Sequence, residues 1–333
     1  MPLPNILRRF LPDTFTVALV ITVVLSSVFP CYGYGERVFE SITNIAIALL
    51  FFFHGAKLSR QAVVAGMTHW RLHGVVFLFT FVAFPLLGLL LKPLLDHFLT
   101  PELYLGVLFL CTLPSTVQSS IAFTSMARGN VPAAICSASA SNLIGIFLTP
   151  LLVGLLLAQQ GGPGFSFDAL GSILLQLFLP FVAGQVARRW IGSWVDAHRG
   201  LLRVTDQSSI LLVVYTAFSA AVIGGLWQQT PLSALLALVL SSAFLLALVM
   251  SLTTYGSRKM GFNKEDEIAI VFCGSKKSLA SGVPIANVLF SAYALGAIVL
   301  PLMIFHQIQL MVCAVLAQRY AKRPEENARK QNA

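Results

Sequence analysis

Phe272-Cys-Gly-Ser-Lys-Lys-Ser-Leu-Ala-Ser-Gly-Val-Pro284 sets two adjacent lysines and three serines inside an apolar run. A second stretch, Cys111-Thr-Leu-Pro-Ser-Thr-Val-Gln-Ser-Ser120, places Pro114, Ser115, Thr116, Gln118, Ser119 and Ser120 in comparable surroundings. Pro114 removes a helix hydrogen bond and obstructs the preceding turn. Gly274, Gly282 and Pro284 flank the lysine pair and read as helix-breaking positions. A charge at mid-membrane costs between about 2.5 and more than 10 kcal/mol. Non-helical backbone at that depth must be buried in protein or line a wet cavity. Two such interruptions point to a site held between helices.

The rest of the chain makes the membrane setting explicit. Of 333 residues, 57% are hydrophobic and only 11% are charged, with a mean hydropathy of +0.82. Soluble domains carry about 25% charged residues, so a soluble enzyme is excluded, as are disordered and collagen-like chains. Ten apolar runs are expected to span the bilayer: 12–30, 38–56, 73–92, 103–126, 130–157, 168–188, 207–227, 232–256, 267–290 and 293–318. The expected class is an all-α polytopic membrane protein with ten transmembrane helices. The segments are a 1–11 N-terminus, a first five-helix repeat over 12–157, an external loop at 158–167, a second repeat over 168–318, and a 319–333 tail. The polar interruptions fall in the fourth span of each half. Interruptions at corresponding positions of two halves point to a midplane binding site between inverted repeats.

Charge sets the orientation. With the N-terminus cytoplasmic, eighteen of the 22 Lys and Arg lie in inside segments and only Arg37 and Lys92 lie outside. The remaining two are Lys276 and Lys277. This positive-inside asymmetry predicts two cytoplasmic termini in an inner membrane. The net charge of +9 is thereby assigned to basic loops, and no nucleic-acid partner is expected. The first apolar run reads as a retained helix without a small-residue cleavage site. Cys31, Cys111, Cys136, Cys273 and Cys313 are odd in number and widely spaced, which suits neither a disulfide framework nor a zinc site.

All 13 acidic residues lie near span ends or outside them, so no carboxylate is available to the lysine pair at mid-span. The carbonyls freed where spans 4 and 9 unwind are the next partners, because helix C-termini carry negative partial charge. Three roles stay open for the lysines: holding an anionic substrate, replacing a coupling cation with loss and regain of a proton, or tethering structure. Ser137, Ser139, Ser141 and Asn142 add a polar face to span 5, with Ser137 and Ser141 one turn apart. His54 ends span 2, and His306, Gln307 and Gln309 lie in span 10. No His-Glu-x-x-His spacing, Ser/His/Asp constellation or buried acid pair appears, so no enzyme is expected. The channel-filter string Thr-Val-Gly-Tyr-Gly is absent too.

Together these residues resemble the bile acid:sodium symporter superfamily, nearest the bacterial sodium-dependent transporter branch related to solute carrier family 10 member 7. The resemblance covers about residues 11–320. It rests on Phe51-Phe-Phe-His-Gly-Ala-Lys-Leu-Ser59, Leu113-Pro-Ser-Thr-Val-Gln-Ser-Ser120, Ala127-Arg-Gly-Asn-Val131 and Ser141-Asn-Leu-Ile-Gly-Ile-Phe-Leu-Thr-Pro-Leu-Leu152. Leu177-Phe-Leu-Pro-Phe-Val-Ala-Gly-Gln185, Cys273-Gly-Ser-Lys-Lys-Ser-Leu-Ala280 and Pro301-Leu-Met-Ile-Phe-His-Gln-Ile-Gln309 complete it. It implies a panel domain of spans 1, 2, 6 and 7, and a core domain of spans 3–5 and 8–10. Broken helices 4 and 9 would cross, with sodium behind the crossing and a small organic anion beside it.

By that resemblance Ser119 and Ser120 match sodium-ligand positions, and Ser137, Ser141 and Asn142 are neighbouring candidates. Lys276 and Lys277 stand where the bile-acid branch carries Gln and Asn, and Phe272 stands at its sodium-ligating Glu. Cations thus occupy the place of sodium. Substrate candidates are Ser115, Thr116, Gln118, Ser275, Lys276, Ser278 and His306. The implied activity is secondary active transport by alternating access, with sodium as the possible coupling ion and no other cofactor. A proton-coupled or sodium-independent transporter and a non-transporting membrane regulator are the alternatives.

Overall fold

The computed structural model describes residues 14–57, 69–157, 171, 172 and 174–323, and among them all regular structure is helical. The expected N-terminal segment 1–11, the loop 158–167 and residues 324–333 of the tail lie outside the described residues.

The main helices are α1 (Thr14–Val28), α2 (Tyr34–Lys57), α3 (Trp70–Leu90), α4 (Pro101–Thr112), α5 (Gln118–Met126) and α6 (Val131–Leu156). They continue with α7 (Leu179–Ala197), α8 (Arg199–Ile223), α9 (Leu232–Lys259), α10 (Lys264–Gly274), α11 (Leu279–Leu289) and α12 (Ala292–Ala321). A π turn, Leu174–Phe178, leads into α7. Seven stretches, α2, α3, α6, α8, α9, α10–α11 taken together, and α12, are long and apolar enough to cross a membrane. α1 and α4 are shorter apolar helices.

Local chemistry explains several ends. Thr100 caps α4 by accepting from Leu103 N–H, with Pro101 at the first helical position. Asn130 and Asn263 cap α6 and α10 in the same manner, accepting from Ala133 and Asp266. Glu265, Asp266 and Glu267 fill the first turn of α10, where the helix dipole favours negative charge. Leu113, extended at φ −73° and ψ 154°, ends α4 because the following Pro114 disfavours the helical region.

Two expected boundaries shift. Residues 168–188 were expected as one span, whereas helix continues from the Leu174–Phe178 π turn through α7 to Ala197; 207–227 was expected where α8 runs Arg199–Ile223. An apolar-run reading stops at the first charge, but Arg188, Arg189, Arg199 and Arg203 continue on amphipathic helix. Arg188 remains near the end of α2, donating to Ala56 O and to Asp196 Oδ2. α12 continues to Ala321, and Arg323 is tied to Ala127 O, Arg128 O and Glu265.

The molecule is layered by polarity. Along α9, Leu232, Leu236, Leu240 and Phe244 form an exposed stripe at four-residue spacing, while Leu238, Leu245 and Val249 are buried. An apolar stripe with no protein partner is a lipid-facing surface. Exposed Trp70, Trp190 and Trp194 suit the aromatic belt of a membrane interface. The α10–α11 stretch is the centre: 94% of its apolar window is buried, against 28–56% in the other six.

Some packing requires glycine. A Cβ on Gly55 of α2 would fall on Phe181 O of α7, and one on Gly184 of α7 would fall on Phe52 O. These reciprocal glycines let α2 and α7 approach backbone to backbone.

Candidate functional site

The helix stops after Thr112 and resumes at Gln118; it stops again after Gly274 and resumes at Leu279. Each stop releases backbone groups that need partners in a dry interior. The two stops supply each other. Ser278 N–H donates to Pro114 O at 2.9 Å. Ser115 Oγ donates to Cys273 O at 2.5 Å, and Ser120 Oγ to Phe272 O at 2.9 Å. α6 closes the arrangement from the side. Ser141 Oγ accepts Ser115 N–H, Asn142 Nδ2 donates to Ser115 O, and Thr149 Oγ1 donates to Thr112 O. Asn142 Oδ1 in turn accepts from Ser281 Oγ at 2.5 Å. Gly145 of α6 permits this approach, since a Cβ there would lie 2.7 Å from Pro114 Cβ.

Gln309 of α12 mends the second stop. Its Oε1 accepts Lys277 N–H and its Nε2 donates to Lys277 O, both at 2.9 Å. One side-chain amide thus pairs with both polar groups of a peptide that has left the helix.

The two lysines are both fully buried but differently held. Lys277 Nζ donates to Thr80 O at 2.8 Å, Cys111 O at 2.8 Å and Leu113 O at 2.7 Å. All three ammonium protons have an acceptor. The Phe84 ring lies 4.1 Å from Nζ. Lys276 Nζ has one long contact, 3.5 Å to Ser119 Oγ, and faces the rings of Phe123 at 4.1 Å and Phe272 at 5.4 Å. Its charge is stabilised chiefly by aromatic faces. Neither lysine forms an ion pair with an acid among the described residues.

Beside this crossing of polar bonds lies a cavity of ≈ 470 Å³. One wall is α2, α7 and α8, with Phe51, His54, Lys57, Phe181, Asp196, Arg199 and Arg203. The other is the α4–α5 break together with α5, α6 and α11, with Val117, Gln118, Ile121, Ser139, Asn142, Ile146 and Ser281. Basic groups gather at one end. Lys57 pairs with buried Asp206 at 2.5 Å, and Asp196 is shared by Arg188 and Arg199. Arg203 is exposed and has no acidic partner among the described residues.

A model of the SBF-like CPA transporter family (DUF4137) matches residues 13–322. The chain belongs to this family. It is 67% identical over 320 residues to "Uncharacterized protein PA2026" of Pseudomonas aeruginosa, covering 96% of each chain. It is 57% identical over 314 residues to "Putative symporter YfeH" of Escherichia coli strain K12, covering 94% of each. It is 28% identical over 322 residues to "Sodium/bile acid cotransporter 7" of Rattus norvegicus, covering 94% of this chain and 93% of the relative. Membership of the SBF-like CPA transporter family makes this a multi-pass membrane transporter, not an enzyme.

In this family member the expected site residues separate into three groups. Ser115, Thr116, Ser119, Ser120, Ser141, Asn142, Ser278 and Lys277 meet at the two stops. Thr116 Oγ1 bonds Ser120 Oγ, and Ser119 Oγ donates to Thr116 Oγ1, each at 2.8 Å. Ser275 turns back on its own helix, donating from Oγ to Val271 O. Of the substrate candidates, only Gln118 lines the cavity; Asn142 lines it from the ion candidates. Ser137 faces elsewhere, 2.6 Å from His73 Nδ1 of α3. His306 sits behind the second stop, its Nδ1 2.8 Å from Gln309 Nε2. Gly282 and Pro284 lie inside α11 and do not form the break; Pro114 and Gly274 flank the two stops.

Sequence reasoning missed Thr80, the Gln309 clamp and the basic wall of Lys57, Arg199 and Arg203. Thr80 O is available because α3 passes through a π turn, Phe79–Ala83, in which Phe84 N–H bonds Phe79 O. The next donor in that register is Pro85, which has no N–H. Pro85, just after the π turn, was the missing signal.

Proposed function

We propose that this chain is a secondary active transporter of a small organic anion, working by alternating access. The observation that carries the proposal is the cavity's position. One wall comes from α2, α7 and α8, helices of the expected panel, and the other from the α4–α5 break, α5, α6 and α11, helices of the expected core. Rocking of one body against the other would open and close the cavity around the two stops. Ten spans in two inverted halves, 12–157 and 168–318, account for an interruption in the fourth span of each. The positive-inside count puts the basic end of the cavity in the cytoplasm.

The lining favours an anion with an apolar body. At the basic end Lys57 is paired with Asp206 and Arg199 with Asp196, while Arg203 has no acidic partner among the described residues and is the cation left for an anion. Phe51, Val117, Ile121, Ile146 and Phe181 supply apolar surface further in. Gln118, Ser139, Asn142 and Ser281 add polar groups that can orient a headgroup.

Sodium coupling is supported by the printed name of the rat relative. Sodium-independent or proton-coupled transport is supported by the Lys277 ammonium sitting among carbonyls at the crossing, and we favour this second reading.

The test is thermal stability of the purified protein with monocarboxylates, dicarboxylates, sulfonates and amphipathic carboxylates, against their neutral amides. An anion is expected to stabilise it saturably, and an Arg199→Gln/Arg203→Gln double variant to weaken that anion about tenfold, the worth of one charge-assisted contact. Amides that stabilise as well as their acids, or a double variant with unchanged affinity, would overturn the proposal.

A further inference from the structure

The Lys277 ammonium fills a cage whose walls exist for reasons independent of the lysine. Thr80 O points inward because the π turn of α3 is followed by Pro85. Cys111 O and Leu113 O are left over because Pro114 stops α4. The ring of Phe84 covers the Nζ at 4.1 Å. Inward-turned backbone carbonyls are the ligands that hard monovalent cations take when they shed water. A charged group in such a place repels any second cation strongly, since little water is present to screen it.

The geometry points to Lys277 as a resident cation: its ammonium occupies a latent monovalent metal-ion site formed by the carbonyls of Thr80, Cys111 and Leu113. Replacing the lysine by an apolar chain one atom shorter leaves three acceptors and a vacancy at the Nζ position that sodium or potassium fills. Lys276 has no such cage, only Ser119 Oγ and two rings, so its removal creates no ion site. The consequence for coupling rests on the transport reading: the anion moves without sodium because the cation is built in. The cage itself needs no substrate, so its test is separate from the anion test.

The experiment compares purified wild type, Lys277→Met and Lys276→Met by thermal unfolding in choline chloride. Sodium chloride or potassium chloride replaces choline stepwise at constant ionic strength. Wild type and Lys276→Met are expected to respond alike to all three salts. Lys277→Met is expected to melt lower in choline and to regain about 5 °C saturably in sodium or potassium. Should Lys277→Met not fold in choline, Lys277→Gln takes its place, its amide donating to one carbonyl. A wild type stabilised saturably by sodium or potassium over choline overturns the proposal. So does a folded Lys277 variant indifferent to both metals. If neither variant folds in any salt, the wild-type arm alone decides.

Discussion

Lys276 and Lys277 are neighbours in sequence and opposites in environment. A buried ammonium is tolerable when each proton has an acceptor, and only Lys277 meets that condition. Lys277→Met leaves three buried carbonyls without a donor and is expected to cost about 3 kcal/mol or more. Lys276→Met removes one long contact and two cation–π faces, an expected loss of about 1–2 kcal/mol. Unfolding of the two variants side by side checks the order, and an equal or inverted order would contradict it. Gln309→Leu should resemble Lys277→Met, because the amide's bonds to both backbone groups of Lys277 disappear together. Gln309→Glu keeps the acceptor and loses the donor, so it is expected to fall between Leu and wild type.

At the scale of elements, the two helix stops are one structure. Pro114 O receives Ser278 N–H, and Ser115 and Ser120 hydroxyls reach the last carbonyls of α10. α6 holds them through Ser141, Asn142 and Thr149, at a distance that Gly145 sets. Gly145→Ala pushes a methyl against Pro114 and is expected to cost about 1–3 kcal/mol, measured as a lower unfolding midpoint. A midpoint equal to wild type would show that α6 can retreat freely. The place of both stops was legible in the sequence because Pro114 and the lysine pair are conspicuous in hydrocarbon. Their mutual satisfaction was only half legible. The freed carbonyls of span 4 were expected to face a lysine, whereas Thr80 comes from a change of helical register that no apolar pattern signals. Pro284, conspicuous in sequence, sits in the middle of α11 and does not stop it.

At the scale of the whole molecule, lipid-facing stripes on α9 and buried polarity on α10–α11 put the chemistry in the middle of the protein. Composition and charge made the membrane class legible, and the ordered motifs made the family legible. The cavity was not legible, because its basic residues were counted as loop charges. Lys57, Arg199 and Arg203 come together only once α7 and α8 extend past the apolar runs and α2 and α7 meet at Gly55 and Gly184. Gly184→Leu forces those helices apart and is expected to lower both stability and anion affinity, whereas an affinity unchanged at reduced stability would detach the cavity from that contact.

Counterflow in proteoliposomes tests transport most directly. Vesicles loaded with the stabilising anion are diluted into a trace of the labelled anion in choline medium without sodium. Transport without sodium predicts transient accumulation of label, faster with anion inside than without, and strongly reduced by Arg199→Gln/Arg203→Gln. Binding of the anion with no movement of label, in choline and in sodium alike, would contradict transport and leave a membrane protein that binds its ligand without carrying it.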